Sequence, residues 1–182
     1  ACGSIAHLES GCGNEGRLRT YQIVGIEPRY SQPLLLGRFA GELDAGLRLH
    51  RETQARLQVN GAAHDSRSAG PNDNAGSGII EDNRRSTSAV AGYAQARLGG
   101  QAWSVTPGLR VEHIAIARDN LRPLPGNPAG VSGSTTLTEV IPGLGATFSA
   151  HERLTLFAGA HRGFSPPRNE DIISNTTGGV VE

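Results

Sequence analysis

The sequence has no methionine, a single tryptophan and only 4% aromatic residues. Without an initiator the chain reads as processed or as an excerpt. The second fits better, because its opening, ACGSIAHLES, has neither the basic start nor the apolar core of a secretory signal. Nowhere do apolar residues approach the ~18 in succession that a membrane-spanning helix needs. That excludes a helical span and leaves a membrane strand open, since about 10 alternating residues suffice for one. An excess of charge is missing too: 17 basic residues face 17 acidic ones. There is no Lys/Arg run and no basic face interleaved with aromatics, so nucleic acid is not an expected partner.

The motifs of common chemistries are also missing. No Gly-x-Ser-x-Gly elbow and no His-Glu-x-x-His pair occurs, which argues against a nucleophilic or zinc hydrolase, and no enzyme is expected. Gly11, Gly13 and Gly16 match the letters of a dinucleotide fingerprint, but they precede a β-prone stretch instead of opening a helix after one. His151-Glu152 falls in a turn and reads as solvated. Asn175-Thr176-Thr177 fits a glycosylation sequon by its letters alone. Cysteine occurs only at Cys2 and Cys12. In an oxidising compartment these two read as a local disulfide; the rival is a zinc site with His7, which lacks a fourth ligand. No cofactor is expected.

What is present is glycine, 25 residues of it, and alternation. Residues 17–26 (RLRTYQIVGI) are β-prone, and residues 27–33, with two prolines, read as a turn. Residues 41–59 alternate Leu43, Ala45, Leu47 and Leu49 against Glu42, Asp44, Arg48 and His50, which outweighs the helix formers in RETQARLQ. Residues 60–83 read as a long polar loop. Residues 86–98 and 102–118 form a hairpin about Gly99-Gly100, with Trp103, Val105, Leu109 and Val111 opposite Ser104, Thr106, Arg110 and Glu112. After a proline-containing loop over 119–134, residues 136–149 pair with residues 154–168 (LTLFAGAHRGFSPPR), where Pro166 and Pro167 stop the ladder.

Each strand thus has a face of small apolar residues and a face bearing charge, and connections alternate between long and short. A soluble sandwich fills a core about 10 Å thick with large side chains, and those are scarce here. The expected fold is all-β: an antiparallel meander of about six strands, part of a transmembrane β-barrel, as one partial segment over residues 1–182. Tyr93, Trp103 and Phe148 supply a partial set of membrane-interface aromatics.

Four stretches carry a family likeness: residues 12–29 (CGNEGRLRTYQIVGIEPR), 103–112 (WSVTPGLRVE), 139–145 (EVIPGLG) and 156–168 (LFAGAHRGFSPPR). In this order and at hairpin spacing they resemble the barrel of a TonB-dependent outer-membrane receptor of the ferric-dicitrate or siderophore type. The resemblance implies a barrel of about 22 strands with a plugged lumen. It also implies uptake of a ferric chelate, contact with outer-membrane lipid and coupling to the TonB protein through an N-terminal region absent from this sequence. No plug or coupling box is found, so the segment is expected to come from the middle of a barrel. A passive porin or a structural adhesin barrel is the alternative.

Anionic chelates call for cations at the long-loop end, because guanidinium groups pair with carboxylates. Arg84, Arg85, Arg118, Arg162 and Arg168 are therefore the candidate ligand contacts, with Gln95 and His161 as lumen-facing neighbours. The plainer reading of any one arginine is that it neutralises a carboxylate on an adjacent strand. Arg48, Arg97, Arg110, Glu42 and Glu112 read as structural charges deeper in the lumen.

Overall fold

A computed structural model describes residues 15–37, 39–63, 78–168 and 172–180. Cys2, His7 and Cys12 lie outside the described residues, and with them both the disulfide and the zinc reading. The described chain forms one antiparallel sheet from β1 (Glu15–Ile26), β2 (Arg29–Leu36), β3 (Phe39–Asn60), β4 (Gly78–Gly99), β5 (Trp103–Asn120), β6 (Val131–His151) and β7 (Leu154–His161).

Seven strands occupy six positions, because β1 and β2 lie end to end along β3. Ile26 lies opposite Leu49, and Arg29 opposite Gly46, so the register passes the gap unchanged. Pro28 has no N–H to give the ladder, yet its carbonyl still accepts from the Leu47 N–H at 3.1 Å. Residues 27–33 are therefore largely strand and not a turn. Pro33 lies opposite Glu42, so β2 holds its register with β3 through a residue that has no N–H to give.

The short connections, at Gly37, at Gly100–Ala102 and at Glu152–Arg153, lie at one end of the sheet, and the long ones at the other. Gly37 takes a φ of 63°, the left-handed conformation that its tight turn demands. The long connections are shorter than the sequence implies. β4 starts at Gly78 and β6 at Val131, well inside stretches read as loop. Beyond the apolar zone the exterior face of these strands turns polar, through residues 82–88 of β4 and 132–138 of β6, so the hydropathy period disappears while the backbone goes on pairing.

On one face, β3 carries Leu43, Ala45, Leu47 and Leu49 before Arg51 and Thr53; β4 carries Leu98 to Val90 before Ser88 and Ser86; and β6 carries Phe148 to Val140 before Thr138 and Thr136. The apolar zone is thus about nine residues long, ~30 Å along a strand, which a tilt of about 40° reduces to the ~25 Å apolar band of a membrane barrel. Trp103 and Phe148 pair at its short-turn border. Tyr93 lies on the other face, opposite Gly46, and so is not an interface aromatic.

Candidate functional site

The polar face is set by register alone. Even-numbered residues of β3 and β5 and odd-numbered residues of β4, β6 and β7 share it. In its middle, Glu112 of β5 lies opposite Glu139 of β6. Each carboxylate has its own guanidinium: Arg110 Nε donates to Glu112 at 2.6 Å, and Arg162 Nη2 lies 2.7 Å from Glu139. Towards the long-connection end, Arg85 lies opposite Arg118, and both are buried, at 7% and 5% exposure. Arg85 donates to Glu81 at 3.2 Å, and Glu81 also holds Arg56 at 3.4 Å. Arg118 donates to Asn83 Oδ1 at 3.3 Å and to the Ile173 carbonyl at 3.0 Å.

The candidate contacts named from sequence therefore do not form one cluster. Arg85 and Arg118 meet, but as tethers of Glu81, Asn83 and a loop backbone. Arg84, next in the chain to Arg85, points to the opposite face and is exposed. Arg162 is held by Glu139 and by the Val140 carbonyl, which accepts from Nη1 at 3.2 Å. Arg168 is exposed beyond Pro167. Gln95 sits ten residues down β4 from Arg85, donating to Asp44 at 3.4 Å. His161 is opposite Gly143 on the same rung as Gln95, across Gly108.

Instead, the structure forms a cavity of about 280 Å³ around residues that the sequence suggested were structural. Arg48 and His50 come from β3, Thr87, Ala89 and Ala91 from β4, and Arg110, Glu112, Ile114 and Ile116 from β5. Pro166 and Pro167 complete it. After β7 the chain bends over the polar face and does not rise away from it. Ile173 is fully buried on Ile114 and Ile116, with Ala89, Leu137, Phe164 and Ile172 around them. The signal was available in sequence: Ile114 and Ile116 continue the parity of Arg110 and Glu112, and two isoleucines on a charged face need a cover. The cavity thus combines an apolar floor, a proline roof and a polar wall in which Arg48 and His50 stand with the Arg110–Glu112 pair, a chemistry suited to a small ligand with anionic groups.

Residues 9–181 match the TonB dependent receptor-like β-barrel family. The chain belongs to that family. Its structure is also similar to the crystal structure of the ferric citrate transporter FecA in the unliganded form, at a TM-score of 0.69 and 26% identity. The likeness covers 81% of this chain and 21% of the transporter, so the segment spans about a fifth of that protein's length. The sheet is a section of TonB-dependent receptor barrel, a bacterial outer-membrane protein and not an enzyme. Its apolar face is the barrel exterior and its polar face the lumen. The cavity lies on the luminal wall, and residues 162–168 and 172–180 run inward over it.

Proposed function

We propose that the protein containing this segment is an energy-coupled outer-membrane receptor that takes up an anionic ferric chelate. Iron enters as cargo and not as a resident cofactor. The observation carrying this reading is the convergence of Arg48, Arg110 and His50 on one luminal cavity floored by Ile114 and Ile116. Arg110 pairs with Glu112, and a chelate carboxylate can exchange with a carboxylate partner of that kind at little net cost. The family match supports a receptor over a passive porin. Energy reaches the barrel through TonB, engaged by a region outside this sequence, and the apolar exterior faces lipid.

The test is a titration of the full-length receptor with ferric citrate and with an uncharged ferric chelate. Arg48→Met with Arg110→Met should weaken ferric citrate binding by roughly tenfold or more, the scale of one or two lost charge-assisted contacts. Binding of the uncharged chelate should hardly change. Equal ferric citrate affinity in wild type and double variant would remove the cavity from the site.

A further inference from the structure

We infer that residues 172–180 are a strap fixed to the luminal wall, and that Arg118, Asn120 and Gly133 are positioning residues that hold it there. So held, it keeps Pro166 and Pro167 over the cavity and limits the size of what enters. Selectivity for a chelate rests on the cavity reading above; the docking does not.

Three features of different kind fix the strap. Ile173 has no exposed surface and plugs into Ile114 and Ile116. Two buried side chains donate to its backbone, Arg118 Nη1 to the Ile173 carbonyl at 3.0 Å and Asn120 Nδ2 to the Asn175 carbonyl at 2.7 Å. Third, the backbones meet where neither can carry a side chain: a Cβ on Gly133 would strike the Gly178 carbonyl oxygen, and a Cβ on Gly178 would strike that of Ser132. Gly178 also takes a φ of 71°. The strap is closed on itself besides, since Ile173 bridges Val180, Ser174 N–H donates to Gly179 at 2.8 Å and Gly178 N–H to Ser174 at 3.0 Å.

A segment that must lift to admit ligand belongs to the low-stability end of a fold, with few buried apolar contacts and solvated hydrogen bonds. This one has a buried anchor and two buried donors. The wall is shaped to receive it, because the side chain that glycine lacks at position 133 would occupy the space of the strap backbone. Consecutive prolines fix φ at 166 and 167, and both border the cavity.

The experiment is hydrogen exchange on the full-length receptor, read at residues 172–180 with and without ferric citrate, together with affinities for ferric citrate and a bulkier ferric chelate. The strap should be protected in both states. Gly133→Val and Arg118→Met should each speed its exchange by about tenfold or more, and shift relative affinity towards the bulkier chelate; Arg118→Lys, which keeps a donor, should retain part of the protection. Free exchange in the wild type, protection only with ligand, or unchanged selectivity once the strap is released would each overturn the inference. A wild-type receptor with a protected strap that binds neither chelate would defeat the proposed function while supporting the docking.

Discussion

Arg84 and Arg85 are consecutive in β4 and leave it in opposite directions: Arg85 is buried in the lumen beside Arg118, and Arg84 is exposed on the exterior opposite Asp119. Arg85 shares Glu81 with Arg56, whereas Arg84 belongs to the exterior beyond the apolar band, from which Ser86 and Ser88 separate it.

The two positions should therefore respond unequally. Arg84→Met is expected to change folding stability by no more than ~0.5 kcal/mol, as surface substitutions do. Arg85→Met should cost about 1–3 kcal/mol, because it removes a buried guanidinium together with its charge-assisted bond to Glu81. Denaturant titration of the full-length receptor in lipid vesicles measures both. Equal costs would contradict the assignment of faces.

Membrane depth provides a second test. Leu144 lies in the middle of the apolar band, between Pro107 and Ala160, while Phe157 points into the lumen opposite Thr147 although it is 86% exposed in the segment. Leu144→Arg should cost ~2–4 kcal/mol, the charge of a lipid-facing arginine near the midplane. Phe157→Arg should cost clearly less. Folding yields and stabilities in vesicles separate the two, and a reversed order would place Phe157 on the lipid side.

Two glycines differ in what lies against them. At Gly41 an added Cβ would meet the Arg97 backbone carbonyl, and at Gly46 it would meet the ring of Tyr93. A ring can swing aside; a ladder carbonyl cannot without breaking the strand pair. Gly41→Ala should thus be the more destabilising, by about 1–3 kcal/mol, typical of overpacking. Gly46→Ala should chiefly reorient Tyr93, visible as a change in tyrosine fluorescence or ring resonances with small loss of stability.

Expressed alone, residues 1–182 should associate. β1 and β7 are outer strands of the described sheet, and Val24, Ile26, Leu154 and Leu156 are exposed on or beside them. An unpaired ladder next to apolar side chains recruits other strands. Light scattering of the segment refolded in detergent, compared with the full-length receptor, checks this; a stable monomer would refute it.

The alternation of residues 41–49, 90–98 and 140–148 was enough to determine strands, faces and the apolar band, because a two-residue period directly encodes which side chains meet lipid. Four short motifs, in order, were enough to reveal the family. Less was legible where the period fails. The exterior face turns polar beyond the band, so β4 and β6 looked shorter than they are, and β2 looked like a turn because Pro28 precedes it and Pro33 lies within it. The site depended on tertiary structure. Arg48, Arg110 and Pro166 are far apart in the chain and meet only through strand register and the inward path after β7. Arg85 and Arg118, promising as free cations, proved to be tethers once Glu81, Asn83 and the Ile173 carbonyl were beside them. Sequence by itself determined the two faces of the alternating stretches, since parity is a local property of a strand, although reading residues by type put Arg84 and Tyr93 on the wrong ones. Only the tertiary structure decided which luminal charges are engaged and which border a cavity, since that follows from partners contributed by distant strands and by a loop that returns.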